Sequence, residues 1–226
     1  IRLLSDGAFT GDGPIMGGVS HTFGPTAVFR VHGIDILIVT ENEQMLDQQQ
    51  LRAFGIDPEK NEKYVDIGFM GLKGGSGAMR GIDGYDHIGM IDASGGVLDQ
   101  DYEMFEQQTP HRLIKHELLT DSAGAGEWRG GLGVETIFEI GSPDTQLVTF
   151  GDGDFEPAFG LFGGGEGGLN FIRLHYPDGQ TVVPKNKDLI TGVPQGTIYH
   201  QVASGGGGYG DPKQRDRKII ADEIRN

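Results

Sequence analysis

The sequence predicts a mainly β protein with a few short helices, its sheets joined by glycine-rich turns into a sandwich or barrel, and α+β in the N-terminal third. Three observations predict this. First, 40 of the 226 residues are glycine, against a usual share of roughly 7%, and they punctuate alternating apolar runs instead of forming one block. Second, residues 134–140 alternate cleanly: Val134, Thr136, Phe138 and Ile140 share one side, and Glu135, Ile137 and Glu139 the other. That period of two marks a half-buried strand. Third, only two stretches carry helix signals, residues 47–54 and residues 217–225.

In chain order, residues 1–24 are glycine-rich, with a short strand at 2–4 and turns at Asp6-Gly7 and Asp12-Gly13. Residues 27–31 and 34–40 read as two strands joined at His32-Gly33, the second apolar enough for burial on both faces. A helix follows, with Asp47 as N-cap, Gln50 three positions on, Leu46 and Leu51 as a staple, and Gly55 before Asp57-Pro58 as the stop. The texture changes near Tyr64, and from Ile67 glycine loops alternate with strands. Residues 102–107 and 113–119 read as extended segments flanking Pro110, and 146–150 as a strand. Residues 171–176 and 180–183 form a hairpin over Pro177-Asp178-Gly179, where proline presets φ and glycine takes the left-handed position. Residues 197–202 are the last strand; Asp211 then caps a turn with Pro212 at its first position, and 217–225 form a helix with Ile220 and Ile224 on one face.

Charge and composition exclude several functions. A formal net charge of −15 disfavours nucleic-acid binding, which needs clustered Lys and Arg, and it repels anionic membranes. The absence of cysteine removes disulfides, thiolate zinc sites and thiol nucleophiles. No apolar run approaches the roughly 20 residues of a membrane helix. The expectation is a soluble, cytoplasmic protein.

Candidate chemistry is sparse. Residues 121–133 place glycines 124, 126, 130, 131 and 133 around the only tryptophan, Trp128. Such a loop either sets the entry to the following strand or presents N–H groups to an anion. In the first case Trp128 clasps the strand 134–140. Residues 73–84 are as rich in glycine as a phosphate loop but lack its Gly-Lys-Ser/Thr ending. The candidate catalytic residues are His111, His116, Glu117, Asp121 and Arg129. In a regular strand His111 and His116 point to opposite faces and cannot share a metal, and both read as solvated polar residues near Pro110. Ser122 with His116 and Asp121 offers the parts of a triad without a nucleophile elbow. Arg112 and Arg129 suit structural ion pairs with Asp121 or Glu117 better than substrate binding, and His175 and His200 lie on different strands that can be neighbours. No cofactor-binding residue and no metal ligand set is expected in this chain.

Four segments carry a resemblance: GGSGAMRGIDGYDHIG (74–89), TPHRLIKHELLTDSAGAGEWRGGLG (109–133), GLFGG (160–164) and SGGGGYGDP (204–212). In this order they resemble the C-terminal end of the hydantoinase B/5-oxoprolinase family, which includes the large subunits of acetone and acetophenone carboxylases. Residues 1–64 instead resemble part of the C-terminal domain of microcystinase-C-like metallopeptidases, through SDGAFTGDGPIMGG (5–18), GPTAVFRV (24–31), residues 34–40 and LRAFGIDP (51–58). Together they imply a chimeric or truncated chain with two parts, 1–64 and 65–226. The first resemblance implies ATP-dependent cyclic-amide hydrolysis or ketone carboxylation. It implies ATP and a divalent metal held elsewhere in the complex, and a hydantoinase A-like ATP-binding partner, a homo-oligomer, or both. No family catalytic residue maps onto this chain, so the expected role is structural, inactive without the missing portion. The alternatives are a non-catalytic β interaction module and, for the first third, a remnant of a zinc hydrolase.

Overall fold

A computed structural model of the chain describes the strands at 2–3, 26–31 and 34–39 together with residues 50–66, 74–88, 100–150, 153–185 and 187–225. Strands β1 (Arg2–Leu3), β2 (Thr26–Val31) and β3 (Ile34–Val39) form one antiparallel sheet in that order. Two larger antiparallel sheets carry the rest. The first contains β4 (Gln50–Asp57), β5 (Glu62–Asp66), β8 (Thr145–Phe150) and β11 (Lys187–Val193), in the order β11-β8-β4-β5. The second contains β6 (Arg112–Leu119), β7 (Gly133–Glu139), β9 (Phe171–His175), β10 (Thr181–Val182) and β12 (Ile198–Ala203), in the order β10-β9-β12-β7-β6. Helices α1 (Tyr102–Gln108) and α2 (Arg217–Arg225) complete the described elements.

The two larger sheets face each other across one core, since Ala53, Tyr64, Leu147 and Val193 of the first pack with Phe138, Ile172, Leu174 and Tyr199 of the second. The alternation in β7 explains the geometry: Val134, Thr136, Phe138 and Ile140 are buried, while Glu135, Ile137 and Glu139 lie half-buried on the outer face. Phe138 stacks on Tyr199 with ring centroids 4.7 Å apart. Both phenols inside are paired, as burial demands: Tyr199 Oη donates to Gln201 Oε1 at 2.7 Å, and Tyr64 Oη meets Ser142 Oγ at 2.6 Å. The expected hairpin over Pro177-Asp178-Gly179 is present, with Gly179 at φ 88° and β9 paired to β10. Asp211 caps the 3₁₀ turn Pro212–Gln214.

Two expected elements are corrected. Residues 50–54 of the expected helix at 47–54 lie in β4, which runs on to Asp57; residues 47–49 lie outside the described residues. Ala53 and Asp57 are buried and Ile56 is exposed, and Ala53 is completely buried between β5 and β8. Pairing on both edges outweighs a local capping signal, because a lone short helix is marginal in water. Conversely, the extended segment expected at 102–107 is helix α1. Asp101 caps it by accepting from the Met104 N–H, and Phe105 is its buried anchor.

The four glycine-rich motifs converge on one bundle of extended segments. The buried segment 204–208 runs through its centre. Gly206 N–H donates to Gly131 O at 2.8 Å, Gly124 N–H to Gly206 O at 2.6 Å, Ala78 N–H to Gly207 O at 2.9 Å and Gly208 N–H to Gly165 O at 2.9 Å. The backbones approach so closely that a Cβ on Gly130 would strike the carbonyl of Gly206, and one on Gly206 the carbonyl of Ser76. Glycine is required at these positions by contact distance.

Candidate functional site

The glycine loop is a clasp, and its N–H groups are spent on the protein itself. Trp128 N–H donates to Tyr209 O at 3.0 Å, Gly130 N–H to Gly124 O at 3.0 Å and Gly131 N–H to Ser76 O at 2.7 Å. Arg129 N–H goes to Asp83 Oδ1 at 2.8 Å and Leu132 N–H to Asp86 Oδ1 at 2.6 Å. The loop at 75–84 is committed in the same way, with Gly75 N–H on Ser204 O and Gly84 N–H on Arg129 O. Neither loop offers an anion a row of donors. Trp128 does not clasp strand β7 as expected. It forms an antiparallel bridge with Tyr209, rings 5.7 Å apart, because the bundle carries residue 209 alongside residue 128.

The five candidate residues are spread over four environments. His111 is 2% exposed, so the expectation of a solvated polar residue is wrong for it. Its ring lies among Tyr64, Phe105 and Phe138, at centroid distances of 5.1, 6.2 and 5.4 Å. Nδ1 accepts from the Gly141 N–H at 3.3 Å, which leaves the proton on Nε2. Burial pushes its pKa down to about 4, against a small opposing pull from Asp57. It sits beside an open cleft of about 640 Å³ lined also by Asp57, Lys60, Glu106, Arg112 and Glu139. Both cations there are paired, Lys60 with Asp57 at 3.2 Å and Arg112 with Glu139 at 2.7 Å, and Glu106 accepts from the Leu113 N–H at 2.9 Å.

His116 is on the inner face of β6 because a bulge between Leu113 and Lys115 shifts the register against β7. The bulge overturns the regular-strand expectation that His111 and His116 point to opposite faces. His116 Nδ1 meets Thr136 Oγ1 at 2.9 Å, and its ring stands edge-on to His87 at 5.4 Å and Tyr102 at 5.7 Å. His87, at φ 49°, was absent from the sequence candidates; its motif GYDHIG was the available signal. These side chains form a packed cluster of rings around the His116–Thr136 bond. They do not make a metal centre: among the described residues no three His, Asp or Glu side chains are placed to share an ion.

Glu117 is exposed, 3.6 Å from Lys115, and Asp121 is exposed at φ 57°. Ser122 does not join them in a triad. Its hydroxyl donates to Leu119 O and accepts from the Gly133 N–H, both at 2.7 Å. Arg129 is structural, as expected, with different partners: Asp86 at 3.0 Å and Glu223 at 2.8 Å. Arg215 completes the network, bonding both Asp83 oxygens at 2.8 Å and Glu223 at 2.8 Å. Burial opposes the charge on Arg129, but the carboxylates of Asp86 and Glu223 outweigh it and hold its pKa above the ordinary value. On the outer face of the second sheet, Lys115 and His200 share Glu135, at 2.6 and 2.8 Å. Lys115 is the main reason that the Glu135 carboxyl is held below its usual range. His175 and His200 are neighbours there, with rings 6.2 Å apart.

The family model for hydantoinase B/oxoprolinase matches residues 40–212. The chain belongs to the hydantoinase B/oxoprolinase family. Its relatives include caprolactamase subunit beta of Pseudomonas jessenii, 32% identical over 177 residues, covering 76% of this chain and 30% of that protein. The acetone carboxylase alpha subunit of Xanthobacter autotrophicus is 25% identical over 183 residues, covering 66% of this chain and 24% of that one. The chain thus spans about a third or less of these relatives' length. Among solved structures, the ATP-dependent caprolactamase of P. jessenii matches with a TM-score of 0.68 and 28% identity, over 80% of this chain and 32% of that one. Nucleotide-free acetone carboxylase shares the fold, with a TM-score of 0.63, 22% identity, and 80% and 28% coverage. No helix among the described residues is long and apolar enough to cross a membrane.

Proposed function

We propose that this chain is the structural and assembly portion of a hydantoinase B-type enzyme that hydrolyses a cyclic amide at the expense of ATP. The observation that carries this reading is where the family resemblance sits. All four motifs contribute to the glycine bundle, and their N–H groups go to other backbone segments and to Asp83 and Asp86. The likeness therefore lies in packing, which suits a part that supports chemistry done elsewhere in the subunit. The cyclic-amide reading is favoured over ketone carboxylation by the higher identity to the caprolactamase subunit, 32% against 25%. The donors present suit neither of the implied groups, a divalent metal or the phosphates of ATP. In this reading both belong to the remainder of the subunit and to a hydantoinase A-like partner.

The test is turnover. The isolated chain is assayed with ATP and caprolactam, a hydantoin or 5-oxoproline, and then the full-length subunit is assayed with its partner. The expected result is no ATP-dependent turnover by the chain alone, and lactam hydrolysis by the assembly that Gly130→Ala abolishes. Hydrolysis by the isolated chain would refute the proposal, as would an assembly that carboxylates acetone and leaves lactams intact.

A further inference from the structure

Helix α2 is charged against its own dipole. It opens on Arg217 and Lys218 and carries Asp222 and Glu223 towards its far end. Cations at the N-terminus of a helix and anions at its C-terminus both oppose the macrodipole. Asp216 caps it, accepting from the Lys218 N–H at 2.8 Å, yet its nine residues are fewer than a lone helix needs in water. Burial does not make up the difference. Every side chain from residue 217 to residue 224 is exposed, the isoleucines 219, 220 and 224 included, and Ile224 is 81% exposed.

Glu223 ties this helix to the bundle. Its Oε1 accepts from Arg129 Nε–H and from Arg215 Nη2–H, each at 2.8 Å. Both guanidinium groups are also set by bonds that do not involve α2. Arg129 donates to Asp86 Oδ1 at 3.0 Å and to Gly130 O at 2.8 Å. Arg215 donates to both oxygens of Asp83 at 2.8 Å and to Glu127 O at 3.1 Å. The body of the protein therefore aims two charged donors at one point, and a carboxylate oxygen stands there. Arg215 is largely buried at this place, where a charge-assisted hydrogen bond is stronger than in open water.

We infer that α2 is a strap over a carboxylate-binding site, with Glu223 as the ligand that the chain supplies to itself. When the strap lifts, Arg129 Nε–H and Arg215 Nη2–H lose their shared acceptor, and a carboxylate from solution takes the place of Glu223. The site suits a carboxylate because guanidinium forks hold their N–H groups in a fixed plane, whereas a lysine ammonium does not. With Glu223 gone, the two arginines are balanced by Asp83 and Asp86, so a single negative charge enters without net repulsion from the cluster. The inference goes beyond the proposed reaction and holds whichever one the assembly performs.

Hydrogen exchange read by mass spectrometry follows the α2 amides directly. The 226-residue chain is measured in sodium acetate and, separately, in sodium chloride at the same concentration and pH, so that screening is equal. The expected result is faster α2 exchange in acetate, by the factor 1 + [acetate]/Kd, which is about two-fold when acetate equals its Kd. Glu223→Gln removes the charge and keeps the helix propensity, and it relieves the clash with the helix dipole, so a weaker helix cannot explain faster exchange in the variant. In chloride its α2 amides should exchange about ten-fold faster than those of the parent, and acetate should add nothing further. Calorimetric titration of Glu223→Gln with acetate gives the Kd of the open site, and that value should account for the exchange of the parent. Unchanged exchange in β7 and β12 shows that the body stays folded. Equal α2 exchange of the parent in the two salts would reduce the effect to screening and overturn the inference. So would α2 exchange indifferent to Glu223→Gln, or the absence of saturable acetate binding by that variant.

Discussion

Acidifying the protein should cost it stability through one imidazole, and His111→Phe should remove that cost. His111 is buried among three aromatic rings, accepts one hydrogen bond from Gly141 N–H, and has no partner for Nε2 among the described residues. The neutral ring fits this site and the imidazolium does not, which is why its pKa falls from 6.5 to about 4. The unfolded chain takes up this proton below about pH 6.5, whereas the folded chain refuses it until about pH 4. The contribution is therefore complete above pH 6.5, is lost as the pH falls from 6.5 to 4, and changes no further below that. At about 1.4 kcal/mol per unit, the loss amounts to about 3 kcal/mol, a large share of the roughly 5–15 kcal/mol that holds a domain together. Urea unfolding at several values between pH 7.5 and 4, with and without His111→Phe, reads it. The variant is less stable at neutral pH by about 1–3 kcal/mol, because the Gly141 N–H loses its acceptor, but its stability should fall less steeply over this window. Parallel loss in the two proteins would refute the reasoning and assign the acid response to other groups.

Four further outcomes follow from the packing. Gly130→Ala drives a methyl group into the Gly206 carbonyl, so the variant should aggregate or lose its cooperative thermal transition. Gly179→Ala, with open space around it but φ 88°, should fold and lose only about 1–2 kcal/mol. Arg215→Met strips Asp83 of its bidentate partner and frees Glu223 from one of two cations; chemical denaturation should show a loss of about 2–4 kcal/mol, discounted from the fully buried case because Asp83 is partly exposed. Tyr64→Phe leaves Ser142 and Thr145 bonded to each other at 2.7 Å and removes only the phenol's contacts with them, at 2.6 and 3.3 Å, a change of about 1 kcal/mol by the same measurement.

Much of the sheet structure was legible in the sequence. The alternation of residues 134–140 announced β7 and its buried face, and Pro177-Asp178-Gly179 announced the hairpin, because both signals are local. The segment at 50–57 misled because its helix signals are local too, while the pairing of β4 with β5 and β8 that decides it is not. Strand β11 passed unnoticed: its Gly192, at φ 70°, lies in a register break between Ile190 and Val193 that interrupts the alternation. At the candidate site, the sequence supplied His111 and His116 but not their surroundings. Burial of the first depends on Tyr64 and Phe138, remote in sequence, and orientation of the second depends on a bulge that leaves no mark in composition. The glycines were visible one motif at a time; that four motifs share one set of backbone contacts is a property of topology alone.

The bundle also orders events during synthesis. Segments 74–84, 124–131 and 160–165 reach the growing chain well before residues 204–210, yet the latter bond to all three. Until they emerge, the earlier segments hold amide groups whose native acceptors do not yet exist, and their many glycines have no side chains with which to collapse in the meantime. Contacts of such sequence separation form slowly. The two facing sheets are held to the same schedule, since β12, made just before residues 204–210, stands between β9 and β7. Core and bundle are thus completed by one continuous stretch of chain, and a ribosome that stalls before residue 198 leaves both open at once.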